Sequence, residues 1–287
     1  MAELTPNEPQ YARDYDDRST EAVRSVLVEI GQILGSFQGK FAVVGGAVPW
    51  LLLDNVEMPH VGTIDIDLGL DAAALQNGEY VHLVEALRTK GYDQSTLKKF
   101  QLVRTMKATD GNPIQVNIDF LMPREVQIEK NKPPILDDFA VQRADGADLA
   151  LRFNQLVAVR AAMPEGGMNT VEIAVCSIPA LLAMKGFALQ KRYKQKDAYD
   201  IYYCIRNYPG GIDELATDCR PILELPSGAE GYGYIAAKFD SPDGFGATCV
   251  KNFVAESDTL GGRTPDQWQQ DAFGQVDALL RALALRE

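Results

Sequence analysis

Within the run Gly62-Thr-Ile-Asp-Ile-Asp-Leu-Gly-Leu-Asp71, Asp65 and Asp67 are spaced two residues apart among β-branched and apolar neighbours. In a strand, residues i and i+2 point to the same face, so Thr63, Asp65 and Asp67 share one side and Ile64, Ile66 and Leu68 the other. Two carboxylates about 4 Å apart repel by roughly 4 kcal/mol at an effective dielectric near 20. That cost calls for a positive partner. Mg²⁺ or Mn²⁺ suits the position, because hard divalent cations take oxygen ligands and share them with phosphate groups. A third carboxylate, Asp119, lies in Pro113-Ile-Gln-Val-Asn-Ile-Asp-Phe-Leu-Met-Pro123, on the face opposite Ile114, Val116, Ile118 and Phe120. It is a candidate further metal ligand or proton acceptor. Gly45 and Gly46 follow the apolar stretch Phe41–Val44, where a backbone without Cβ atoms can approach a phosphate next to a helix start. A metal, a polyphosphate and a carboxylate base together equip a protein for in-line displacement at phosphorus.

The elements that must hold these groups read as follows. Ser19 caps an amphipathic helix with Val23, Val26, Leu27, Ile30 and Leu34 at helical spacing. A short buried strand ends at Gly45-Gly46, and a helix follows over Ala47–Asp54 with Pro49 in its first turn. A helix closed by Gly91, strands over 100–108 and 113–123, and a strand over 168–175 come next. Ser177 opens a further helix over 178–193; if it is helical on through Asp200, Lys185, Arg192 and Lys196 fall on one narrow stripe with Asp200 beside it. Three cations on one helical face suit a triphosphate. The Gly-rich stretch 226–246 reads as loop. Thr264, Pro265 and Gln267 begin a C-terminal helix by a capping box, with a stripe of Trp268, Val276, Leu279, Leu280 and Leu283.

The chain of 287 residues is 46% hydrophobic, enough for one large or two modest cores, and carries a formal charge of −12. That balance argues against a surface that coats nucleic acid and, through an acidic cleft, favours cationic substrates. Cys176, Cys204, Cys219 and Cys249 lie far apart and read as reduced thiols. With a polar N-terminus and no apolar run of membrane-spanning length, the expected location is cytoplasmic, with no membrane partner. His60 and His82 are too few for a histidine-rich metal site.

Taken in order, "VVGGAVPWLLLDNV…HVGTIDIDLGLD", "VNIDFLM" and "IPALLAMKGFALQKRYKQKDAYDIYYC" resemble the AbiEii-type branch of the nucleotidyltransferase superfamily, over roughly residues 20–206. Members of that branch are typically toxins of bacterial toxin–antitoxin or abortive-infection systems. The resemblance implies an α/β (α+β) nucleotidyltransferase fold: a small mixed sheet flanked by helices over residues 1–176, and a mostly helical region over 177–287 that completes the nucleotide site. It implies Mg²⁺ or Mn²⁺ on Asp65 and Asp67, with Asp119 as ligand or base. Phosphate or nucleotide contact falls to Gly45, Gly46, Thr63, Lys185, Arg192, Lys194 and Asp197, and Asp200 joins the chemistry. Where relatives carry an arginine two residues before the threonine, this chain has Val61, so that basic phosphate contact is either missing or passes to the adjacent His60. The implied reaction moves NMP from an NTP (ATP, GTP or CTP) to an RNA, such as a tRNA 3′ end, or to a protein hydroxyl, with an antitoxin protein as a partner. The alternatives are transfer to an aminoglycoside-like small molecule and an inactive NTP-binding interaction protein.

Overall fold

The computed structural model describes residues 9–35, 39–53, 55, 57–71, 79–107, 111–124, 141–255 and 261–287. By contact the chain packs as two units. One comprises Asp17–Val48 and Gly62–Ser177; the other comprises Met1–Asp16, Pro49–Val61 and Ile178–Glu287. Of the described residues, 9–16, 49–53, 55 and 57–61 thus belong with the C-terminal helices although they are distant from them in sequence.

The first unit is a mixed sheet with helices. Its strands are β1 (Phe41–Val44), β2 (Asp65–Leu70), β3 (Tyr92–Gln94), β4 (Gln101–Lys107), β5 (Pro113–Pro123), β6 (Gln142–Ala144), β7 (Asn154–Ala162) and β8 (Met168–Cys176). They run in the order β3-β4-β5-β2-β1-β8-β7, with β6 paired to β5, so among the described residues the sheet has eight strands. β2 and β5 are parallel; β1–β2, β4–β5 and β7–β8 are antiparallel. The helices are α1 (Asp17–Leu34), the first part of α2 (Ala47–Leu52), α3 (Glu79–Thr89) and α4 (Ala147–Arg152); the division between units falls within α2.

Alternation decides these strands. Ile66, Leu68, Leu102, Ile118 and Phe120 have no exposed surface, and along β2 and β5 they alternate with the aspartates. Burying each such side chain contributes roughly 1.5–3 kcal/mol, so a one-residue slip of β2 is strongly disfavoured. α1 presents Val23, Val26, Leu27, Ile30 and Leu34, all fully buried, and starts at Asp17, two residues before the expected cap at Ser19. It lies so close to the sheet that a Cβ on Gly31 would sit 2.6 Å from Val171 Cγ2. Glu29 on α1 is buried yet satisfied, accepting from Tyr92 Oη at 2.7 Å and Arg104 Nε at 3.0 Å.

The second unit is helical: α5 (Ile178–Lys191), α6 (Gln195–Arg206), α7 (Gly211–Leu223), α8 (Pro226–Lys238), α9 (Phe245–Val254) and α10 (Pro265–Ala282). Two expectations are corrected here. The stretch read as loop holds α8, whose glycines make room for close helix contact rather than turns. A Cβ on Gly231 would meet the Ala183 carbonyl oxygen at 2.4 Å, and one on Gly186 would meet the Gly231 oxygen at 2.0 Å. The helix opened by Ser177 does not continue through Lys196 and Asp200; it stops at Lys191, and a new helix begins at Gln195. The capping box at Thr264 forms as expected, with Gln267 N donating to Thr264 Oγ1 and Thr264 N to Gln267 Oε1.

None of the helices among the described residues is long and apolar enough to cross a membrane. All four cysteines are buried and unlinked.

Candidate functional site

The parallel register of β2 and β5 puts Asp65 beside Asn117 and Asp67 beside Asp119, and the antiparallel register of β4 puts Gln101 on the far side of Asp119. Paired residues on neighbouring strands share a face. Asp67, Asp119 and Gln101 therefore form a row across three strands, with Asp65 two residues along β2. Asp65 and Asp67 are half-buried and Asp119 is buried.

Each carboxylate is held. Thr63, buried, donates from Oγ1 to Asp65 Oδ1 at 2.8 Å. β2 begins only at Asp65, so Thr63 precedes the strand instead of lying along its acidic face, and its hydroxyl orients Asp65. Asp67 packs against Gly45. With φ +71° Gly45 adopts a left-handed backbone, and a Cβ there would sit 1.9 Å from Asp67 Oδ2. The glycine was expected to admit a phosphate to the backbone; the structure shows that it admits the Asp67 carboxylate. α2, which follows Gly46, has only six residues. Asp119 Oδ1 accepts from Gln101 Nε2 at 2.6 Å, and Lys98 Nζ is 3.9 Å from Asp119 Oδ2.

Among the described residues no three His, Cys, Asp or Glu side chains are gathered closely enough to hold a metal ion. The expected cluster of Asp65, Asp67 and Asp119 is thus not ready-made, and one oxygen of Asp119 is taken by Gln101. The remaining pair still suits Mg²⁺ or Mn²⁺. Its donors are hard oxygens on one strand face, and such ions commonly use one or two carboxylates with water and phosphate completing the shell.

Alanine at position 45 tests that packing. Gly45→Ala is expected to displace Asp67 and lower stability by about 1–3 kcal/mol, since both the left-handed backbone and the carboxylate oppose a methyl group. Thermal melting of the variant measures it.

The helical unit carries a second constellation. Because the chain leaves the helix between α5 and α6, Lys185, Arg192 and Lys196 do not form the expected stripe. They close instead on two fully buried carboxylates. Lys185 Nζ reaches Asp197 Oδ1 at 2.8 Å and Asp200 Oδ2 at 2.7 Å. Arg192 holds Asp197 through two bonds, at 2.8 and 3.0 Å, and Lys196 holds Asp200 at 2.9 Å. Burial opposes charge on both aspartates, yet Lys185 with Arg192 holds Asp197 below the usual carboxylate range, and Lys185 with Lys196 does the same for Asp200. Lys185 is likewise raised against the effect of burial by Asp197 and Asp200. Lys196 is lowered, chiefly by burial, despite its bond to Asp200. Arg192 keeps 48% of its side chain exposed, and Lys194 precedes α6 as its half-buried cap residue.

His60 belongs to this network. Expected as a substitute phosphate contact, it has a side chain only 1% exposed, which bonds Asp200 Oδ1 through Nε2 at 3.0 Å and lies edge-on to Tyr203. Burial first, and then the Lys196 charge, lower its pKa to about 4. Neutral imidazole therefore donates from Nε2 to Asp200. An unfolded histidine titrates near 6.5. Between pH 6.5 and 4 the unfolded chain takes up a proton that the folded chain refuses, so stability falls as pH drops through that window, by up to about 1.4 kcal/mol per pH unit. Melting curves of His60→Gln are expected to lack this component; equal slopes for variant and parent would refute it.

No protein-family model matches the chain, and no curated protein matches it. Among solved structures it is similar to an antigenic nucleotidyltransferase-like protein from Paracoccidioides brasiliensis, with TM-score 0.42 and 16% identity over 75% of this chain and 94% of that one. It is also similar to JHP933 from Helicobacter pylori, with TM-score 0.49 and 9% identity over 94% of this chain and 95% of that one. At these scores and identities nothing about activity passes from either protein to this chain.

Sequence reasoning missed Gln101 and Lys98, and gave Thr63, His60 and Lys196 other roles. Gln101 is the first residue of β4, and only the β4–β5 register reveals that it faces Asp119. Lys196 was counted among the cations of a helical face, but its bond to Asp200 follows the ordinary i, i+4 spacing of helical ion pairs.

Proposed function

We propose that the chain is a divalent-metal-dependent nucleotidyltransferase that moves NMP from an NTP to an acceptor hydroxyl and releases pyrophosphate. The observation that carries the reading is the acidic face of β2: Asp65 and Asp67, oriented by Thr63 and Gly45, with Asp119 in register alongside. Asp65 and Asp67 hold the cation. Bound Mg²⁺ or Mn²⁺ supplies positive charge that offsets the triphosphate. Asp119, pinned at Oδ1, takes the acceptor proton on Oδ2 as the acceptor oxygen bonds to the α-phosphorus and the bond to pyrophosphate breaks. From the sequence resemblance, Gly46, Arg192 and Lys194 contact the nucleotide. Lys185, Asp197 and Asp200 shape the α5–α6 segment from which Arg192 projects.

The acceptor is an RNA or a protein hydroxyl, consistent with the toxin-branch resemblance, with an antitoxin protein as regulator. Incubation with Mg²⁺ and each α-labelled NTP, followed by separation of RNA from protein, is expected to label one fraction. Label in neither, with no pyrophosphate released, would remove the transferase reading. A polycationic small-molecule acceptor is the second reading, favoured by the net charge of −12. Resistance to an aminoglycoside in a sensitive host distinguishes it.

A further inference from the structure

The two oxygens of Asp119 have different company. Oδ1 accepts from Gln101 Nε2 at 2.6 Å, and both side chains are buried. Oδ2 faces Lys98 Nζ at 3.9 Å, beyond hydrogen-bond length, and 41% of the lysine side chain is exposed. The Lys98 backbone is fixed nonetheless. Ser95 Oγ accepts from Leu97 N at 3.2 Å and Lys98 N at 3.3 Å, and Ser95 N donates to the Gln101 carbonyl at 2.9 Å. The ammonium lies 5.8 Å from the centre of the Phe100 ring.

A neutral amide pins a carboxylate without cancelling its charge, whereas an exposed lysine cancels charge without pinning. Gln101 does the first and Lys98 the second. We propose that Lys98 is an exchangeable counter-ion of Asp119: a positioning residue that screens the acidic row of β2 and β5 and withdraws when a divalent cation occupies it. Its long, half-exposed stem can carry the ammonium away from Asp119 while the turn stays in place. The proposal rests on the reading of that row as a cation site.

Calorimetry of the full chain with MnCl₂ alone, without nucleotide, tests it in the parent, Lys98→Met, Lys98→Arg and Asp67→Asn. Removing a competing positive charge is expected to tighten Mn²⁺ binding roughly three- to tenfold in Lys98→Met, while Lys98→Arg stays near the parent value. Asp67→Asn is expected to lose binding. Unchanged or weaker binding in Lys98→Met, with binding still lost in Asp67→Asn, overturns the counter-ion role and leaves the cation site standing. Parent-like binding in Asp67→Asn puts the ion elsewhere and removes the site reading and the proposal together, as does a parent protein that takes up no Mn²⁺. Melting temperatures within about 2 °C of the parent show that the variants fold.

Discussion

Asp67→Asn is expected to lose NTP turnover by about a hundredfold or more while melting no lower than the parent protein. The two halves have one cause. Asp67 shares a strand face with Asp65 and stands in register beside Asp119, so without a bound cation its charge is expected to be repelled by its neighbours. Asparagine keeps the shape packed against Gly45 and removes the repulsion, and stability is unchanged or rises. The same change removes a hard anionic oxygen from the cation site, and an uncharged amide is a poor substitute for a divalent ion. Residues kept at a cost in stability are the mark of a site selected for function. Turnover measured as pyrophosphate release, beside thermal melting, reads both halves. A variant that turns over normally, or one that unfolds, contradicts the account.

Asp200→Ala is expected to behave in the opposite way and lower stability by about 3–5 kcal/mol, a fall of roughly 10 °C in melting temperature. Asp200 has no exposed surface and takes Lys185, Lys196 and His60. Lys185 would keep Asp197, but Lys196 would be left as a buried cation without its counter-charge. Asp200→Asn retains volume and an acceptor and is expected to fall between the two. Any loss of activity in these variants follows from disruption of the helical unit. Arg192→Ala, at an exposed position, is the better test of nucleotide contact. An Asp200→Ala protein melting within 1 °C of the parent would show that the network contributes little.

The parts of this chain legible from sequence are those where one local rule decides. The alternation in Pro113–Pro123 defines β5 and the face of Asp119, because one side must be dry. The capping box at Thr264 fixes the start of α10, because its partners lie three residues apart. Long-range facts were not legible. Gly231 reads as a turn residue until the Ala183 backbone is placed against it. Gly45 serves Asp67 through a close approach that no spacing predicts. Lys185 and Arg192 look like a phosphate-binding stripe on a continuous helix, and only the break at 192–194 lets them converge on Asp197. The acidic pair and its shared strand face were readable; the residues that orient it were not.

Anomalous diffraction from crystals grown with Mn²⁺ and an uncleavable NTP analogue addresses the acidic face of β2 directly. The predicted result is a Mn²⁺ peak touching Asp65 and Asp67 with the triphosphate on its open side. Bound nucleotide with no Mn²⁺ on β2, or Mn²⁺ held away from both aspartates, would contradict the account.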